Sequence, residues 1–471
     1  MPPSSILPPI IQGGMGVGVS GWPLARAVSL AGQLGVVSGT ALDTLLVRRL
    51  QDGDPGGHLR RAMAAFPIPG IAEQVLHRFL HPEGRRPDQP YRLLSIYNHA
   101  TRPERALVTV LAGFVEVFLA KEGHDRPIGM NLLTKVQLPN LALLYGAMLA
   151  GIDVVLMGAG IPREIPGALD KLARHEPASL KLEITGQPPE GADRVTLDPT
   201  VFWSTVPAPL NRPQFLAIIA SNSLATMLAR KSTGRVDGFV IEGPLAGGHN
   251  APPRGEPRFN ERGEPIYGDR DAVDLAGIAA LGLPFWVAGG VGRPGGLAAA
   301  RQAGAAGIQV GTLFAYCDES GLAPELKHEV LAGAVAGQLD VVTDPRASPT
   351  GYPFKVVHRH GDPDVTALRH RICDLGGLRA MYVTAEGRIG YRCPAEPIEQ
   401  YVAKGGTPED AEGRQCLCNG LTAAVGLGQV REDGTVEPPI VTSGDELLTI
   451  ATFLGGRETY RAADVIDWLL A

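Results

Sequence analysis

Short apolar runs that end in glycine or a small polar residue recur along the chain: Pro9–Gly13, Leu34–Gly39, Pro127–Asn131, Val154–Gly158, Phe215–Ser221, Gly238–Gly243, Pro284–Gly289 and Gly307–Gly311. Helical patterns separate them. The runs are nearly continuous in apolar character and do not alternate, as expected of parallel strands covered on both faces. Eight such strands alternating with helices predict an α/β chain folded as a (β/α)₈ TIM barrel. An open doubly wound sheet would concentrate its glycine-rich turn near the first strand, whereas here glycines close strands throughout.

Two stretches exceed the barrel's needs. Asp43–Arg92 is charged and rich in Pro and Gly, and is expected to hold helices inserted after the second strand. Pro177–Pro213 reads as a hairpin excursion after the fourth. Beyond Val335 the character changes to Pro/Gly turns that hold four of the five cysteines, followed by helical patterns at Glu446–Phe453 and Ala462–Leu470. The expected organisation is a barrel over 1–335, with insertions at about 43–92 and 177–213, and a C-terminal extension over 336–471 packed on it.

Composition narrows the classes. A net charge of −6 without a basic stripe argues against a nucleic-acid partner. The start, Met1-Pro2-Pro3-Ser4-Ser5, lacks the basic and apolar regions of a secretory leader. Five cysteines in 471 residues do not form a disulfide framework, so a cytoplasmic setting is expected. From Leu141 to Ile161 the only charge is Asp153, a length that would suit a membrane span. The Gly151-Ile152-Asp153 break makes it a helix followed by a buried strand, and no membrane association is expected.

Barrel enzymes carry their sites at the C-terminal ends of the strands. There, Ala288-Gly289-Gly290-Val291-Gly292 and Gln309-Val310-Gly311-Thr312 offer backbone N–H groups, a hydroxyl and helix starts to a phosphate. One such turn alone would be ordinary strand-to-helix chemistry. Two on the last two strands point to a phosphorylated substrate or the tail of a flavin nucleotide. The sixth run ends Ile241-Glu242-Gly243-Pro244-Leu245-Ala246-Gly247-Gly248-His249-Asn250, in which two glycines let the backbone approach a flat ring and His249 supplies a base or hydrogen-bond donor. Gln12-Gly13-Gly14-Met15-Gly16 forms a glycine shelf, although its spacing is not a dinucleotide fingerprint. Asn131 ends the third run with an amide at the same rim. Cys373, Cys393, Cys416 and Cys418 lack the paired spacing of a zinc site, so no metal is expected.

In this order, the motifs at Gln12–Gly16, Gly129–Asn131, Ala246–His249, Ala288–Val291 and Gln309–Thr312 resemble those of nitronate monooxygenases, formerly 2-nitropropane dioxygenases. That family is similar to enoyl-acyl-carrier-protein reductases dependent on flavin mononucleotide (FMN), and the likeness spans roughly residues 8–320. It implies FMN as cofactor, with Gly289, Gly290, Gly311 and Thr312 at the phosphate. Gly13, Gly14, Met15, Asn131, Ser221, Gly247 and Gly248 are implied around the rest of the cofactor, and His249 as the catalytic residue. The implied reaction is oxidation of alkyl nitronates with O₂ to a carbonyl compound and nitrite. A reductase using NAD(P)H and an enoyl thioester, and a non-catalytic FMN-binding scaffold, are the alternatives. Gly243-Pro244-Leu245 and Asn250 depart from the family's best-studied sequences, and the length resembles a longer branch, so the substrate stays open. So does the oligomeric state, with which a homodimer is compatible.

Overall fold

The computed structural model describes residues 7–361 and 369–471; Met1–Ser5, read above for a leader, lie outside them. Eight parallel strands form one sheet: β1 Ile10–Gln12, β2 Gly35–Ser38, β3 Ile128–Leu133, β4 Val154–Gly158, β5 Gln214–Ile219, β6 Gly238–Glu242, β7 Phe285–Ala288 and β8 Gly307–Val310. Their order around the sheet is β1-β8-β7-β6-β5-β4-β3-β2. The ring closes through a parallel bridge between Ile11 and Leu34, where Gln12 donates its N–H to Leu34 at 2.9 Å and Leu34 donates to Ile10 at 3.0 Å. Each of the eight apolar runs supplies one strand, and the α/β barrel is the observed fold.

Period-two alternation sorts each strand between the barrel interior and the helical jacket. The interior cluster holds Ile11, Val36, Leu156, Leu216, Val240, Trp286 and Ala288. Trp286 seals the lower end, its indole N–H donating to the Pro8 carbonyl at 3.1 Å. The jacket is tight where small residues permit it. In the helix Asn140–Leu149 a Cβ on Gly146 would lie 2.0 Å from the Val110 carbonyl oxygen of the helix Pro103–Lys121, so alanine would force that pair apart. The apolar stretch 141–161 is thus a helix and then β4, and among the described residues no helix is long and apolar enough to cross a membrane.

Helices Leu42–Gln51, His58–Ala64 and Ile71–Phe79 follow β2, and an antiparallel pair, Ala178–Lys181 with Arg194–Leu197, follows β4. Past the barrel, β9 (Leu339–Asp344) pairs antiparallel with β10 (Phe354–Arg359), and β11 (Ala380–Val383) with β12 (Ile389–Arg392). A buried ion-pair network fixes this region: Glu437 bridges Arg369 and Arg431, and Arg431 also reaches Asp374 at 2.8 Å.

Candidate active site

A cavity of about 290 Å³ lies over the C-terminal ends of the strands. Its floor follows from register. Ala288 of β7 is level with Glu242 of β6 on one side and Gln309 of β8 on the other. Glu242 stands two residues beyond the inward-facing Val240, so its carboxyl also points up the barrel axis. Asn131 reaches the floor from β3, donating through Nδ2 to the Gly14 carbonyl at 3.0 Å. The Asn131 Oδ1 and Gln309 Oε1 atoms are buried without a partner, and the Glu242 carboxylate has no hydrogen bond or ion pair among the described residues. Buried polar groups normally find partners, so two orphaned oxygens beside an unpaired carboxylate on one floor mark a place built for a polar ligand. Isolation in this apolar setting pushes the Glu242 carboxyl up to about 7.

The first loop is held open from below. Gln12 donates to Ser20 Oγ at 2.8 Å and accepts from the Val36 N–H at 3.0 Å, while Ser20 Oγ accepts from the Met15 N–H at 2.9 Å. Gly13, Gly14 and Met15 consequently line the cavity wall.

At the β7 and β8 ends, Gly289 and Gly290 adopt φ of +89° and +75°, which turns successive N–H groups toward one side, as in backbone anion nests. The N–H groups of Gly289, Gly290, Gly311 and Thr312 have no acceptor among the described residues. Donors arranged in this way suit an anion. Two neighbours modify it. Thr312 Oγ1 accepts the Gly444 N–H at 3.0 Å, and the Gly292 N–H donates to Glu446 Oε1 at 2.5 Å. Burial raises the Glu446 carboxyl above its ordinary range, which favours the uncharged form beside an anion.

The loop Ala246–Asn250 is clamped by residues far along the chain. Gly248 donates its N–H to Thr442 Oγ1 at 2.9 Å and its carbonyl accepts the Lys355 N–H at 3.0 Å, while Asn250 donates to the Pro353 carbonyl at 2.9 Å. The His249 ring packs edge-on against Phe354, with centroids 4.8 Å apart. Its Nε2 lies 2.7 Å from Ser348 Oγ, which in turn meets Thr350 Oγ1 at 2.8 Å. Although the ring borders the cavity, protein encloses it, and desolvation pushes its pKa down to about 4. At neutral pH the imidazole is uncharged, with one N–H and one lone pair.

The cavity gathers Gly13, Gly14, Met15, Asn131, Gly247, Gly248, His249, Gly289, Gly311 and Thr312. Gly290 stands just behind, against Leu245. Ser221 is not brought to it: its Oγ accepts the Leu224 N–H at 3.2 Å and caps the helix Asn222–Lys231. A serine between a strand and a helix is well placed for that cap. Glu242 and Gln309 stand inside quoted motifs, and their alternation with inward residues is the signal that could have found them. Ser348, Thr442 and Glu446 leave no local signal. Cys393 and Cys416 are buried together with Cys418 packed against them, and among the described residues no three His, Cys, Asp or Glu side chains are placed to hold a metal ion.

The region from β5 to β10, which includes the histidine loop and both glycine turns, carries the decisive likeness. Residues 205–358 match the nitronate monooxygenase family model. The chain is also similar to curated nitronate monooxygenases. It is 37% identical to the enzyme of Pseudomonas aeruginosa over 136 residues, 28% of this chain and 36% of the relative. With a probable nitronate monooxygenase of Staphylococcus saprophyticus it shares 32% over 129 residues, 27% of this chain and 34% of the relative. The matches span about a third of the length of these relatives. Among solved structures, FabK from Thermotoga maritima aligns with a TM-score of 0.48 at 17% identity, covering 99% of this chain and 92% of that one. Nitroalkane oxidase from Streptomyces ansochromogenes aligns at 0.44 and 17%, covering 99% and 96%.

Proposed function

We propose that the protein is an FMN-dependent oxidoreductase that oxidises alkyl nitronates with dioxygen to carbonyl compounds and nitrite. The observation that carries this reading is the pairing of an uncharged, oriented histidine with a floor and a nest of unfilled polar groups, inside the segment similar to nitronate monooxygenases. The donor set suits FMN: Gly289, Gly290, Gly311 and Thr312 would hold its phosphate, and Asn131, Gln309 and Glu242 would meet the polar edge of its ring system. When bound, FMN supplies the electron acceptor for the substrate carbon and the route to dioxygen.

The chain's own residues prepare for an anion. Below pH 7 Glu242 is uncharged, so the floor does not repel a nitronate. His249 offers a hydrogen bond from a position fixed by Ser348. An arriving anion favours the protonated imidazole, so nitronate binding draws a proton onto His249. With a neutral nitroalkane, the same uncharged ring has the lone pair needed to accept the α-proton, although a group held near 4 is a weak base.

The test is to mix FMN-loaded protein with propionate 3-nitronate in air and measure nitrite release and oxygen uptake. Both should rise with enzyme concentration, and His249→Asn should lower turnover while leaving FMN affinity unchanged. Absence of nitrite, together with NAD(P)H consumption on an enoyl thioester, would instead establish the reductase reading. One observation favours that alternative: the cavity continues from the barrel mouth to Arg379 and Tyr391, giving a path for an extended substrate.

A further inference from the structure

The outer part of the cavity, where the residues after β2 meet β11 and β12, is lined by Tyr97, Arg105, Lys135, Arg379 and Tyr391. Three cations share this end but differ in compensation. Arg105 pairs with Asp43 at 2.8 Å, and Lys135 with Glu183 at 2.7 Å. Arg379 has no carboxylate partner among the described residues. Its Nη2 donates to the Tyr97 carbonyl at 2.6 Å and its Nε to the Gly376 carbonyl at 3.3 Å. Its guanidinium also lies over the Tyr391 ring, 4.6 Å from the centroid. Tyr391 is itself fixed, its hydroxyl accepting the His99 N–H at 2.6 Å.

A guanidinium carries five N–H donors and stays charged at every relevant pH. Arg379 spends only part of that capacity on neutral carbonyls, so a half-buried, immobilised positive charge with spare donors borders the cavity. Holding it in place before the ligand arrives removes much of the entropy lost on binding. We propose that Arg379 binds an anionic oxygen group, a carboxylate or a phosphate, carried by the substrate at the end remote from the carbon presented to His249. This rests on the reading that the cavity is the active site. The proposal selects substrates with an acid group on an aliphatic arm: a nitronate bearing a carboxylate, or a thioester on a phosphorylated pantetheine arm.

FMN-loaded wild-type, Arg379→Met and Arg379→Lys proteins are compared with propionate 3-nitronate and with uncharged propyl-1-nitronate. In the methionine variant kcat/KM for the carboxylate substrate should fall roughly 10- to 100-fold, mainly through KM, as expected for a lost charge-assisted hydrogen bond. For propyl-1-nitronate it should change less than about 3-fold. The lysine variant should keep part of the preference for the carboxylate. The phosphate source is separated by offering crotonyl-phosphopantetheine and crotonyl-pantetheine with NAD(P)H: dependence on Arg379 only for the phosphorylated thioester assigns the group as a phosphate. Calorimetric binding of 3-nitropropionate and of phosphopantetheine to the same loaded proteins is independent of turnover. Arg379-dependent binding of either with no turnover of any substrate keeps the anion site and removes the reaction. Equal loss on charged and uncharged substrates, or anion binding indifferent to Arg379, overturns the proposal.

Discussion

Replacing Glu242 with glutamine should change how stability depends on pH, by an amount that follows from the site. The Glu242 carboxyl moves from 4.5 to about 7 on folding because it is desolvated, with no cation beside it among the described residues. With a folded pKa above the unfolded one, the native state holds its proton more tightly, so Glu242 progressively destabilises the fold as pH rises from 4.5 to 7. At ~1.4 kcal/mol for each pH unit the loss is about 3 kcal/mol, complete above pH 7. His249 works in the opposite direction. Its folded pKa, about 4 against 6.5, makes the native state refuse a proton that the unfolded chain accepts, so stability grows by a similar amount as pH rises from 4 to 6.5. The two slopes nearly cancel in the wild type. Glu242→Gln removes one and exposes the other. Urea unfolding of cofactor-free protein, wild type against variant, should show a gap that opens by about 3 kcal/mol in the variant's favour between pH 4.5 and 8. A gap independent of pH would mean that Glu242 is solvated or paired, and the account of the cavity floor would fail.

Ser348→Ala removes the partner of His249 Nε2 and should lower turnover about tenfold, the worth of one buried hydrogen bond, while FMN affinity measured by fluorescence stays constant. Glu446→Gln should tighten FMN binding, and the gain should shrink as pH falls and the raised Glu446 carboxyl takes up its proton, because a carboxylate beside the phosphate nest opposes the phosphate once it ionises. Glu437→Gln breaks a buried network in which Glu437 is only 1% exposed, and should reduce stability by about 3–5 kcal/mol in urea titrations.

The barrel could be read in the sequence because parallel strands buried on both faces appear as continuous apolar runs, and all eight did. The glycine pair after β7 announced its half of the nest, since glycine reaches the φ of +89° and +75° found there without strain. Asn131 was visible within the third apolar run and His249 behind the paired glycines that follow the sixth, and both border the cavity. Illegibility begins where a contact joins distant parts of the chain. Ser348 lies 99 residues from His249, and Thr442 lies 194 from Gly248, so neither leaves a local pattern. Glu242 is an intermediate case: its alternation with Val240 was visible, but that nothing neutralises it is a property of the assembled floor. Ser221, implied at the cofactor by the resemblance alone, lies off the cavity lining and caps the helix Asn222–Lys231, a position where small polar residues are favoured for capping.

These contacts also show how distant parts of the chain assemble one cavity. The match to nitronate monooxygenases ends at residue 358, past the histidine loop and both glycine turns and inside the strand that carries Phe354. Thr442, Gly444 and Glu446, which close over the histidine loop and the nest, lie beyond it, as do Arg379 and Tyr391 at the outer end of the cavity. Lys355 joins the two regions, reaching Thr343 Oγ1 at 2.9 Å and Asp445 at 2.6 Å. A barrel mouth covered in this way admits only what its cover allows. The cavity thus joins three parts of the chain: the Gln12–Gly16 loop and Asn131 before the matched segment, His249 and both glycine turns inside it, and Arg379, Thr442 and Glu446 after it.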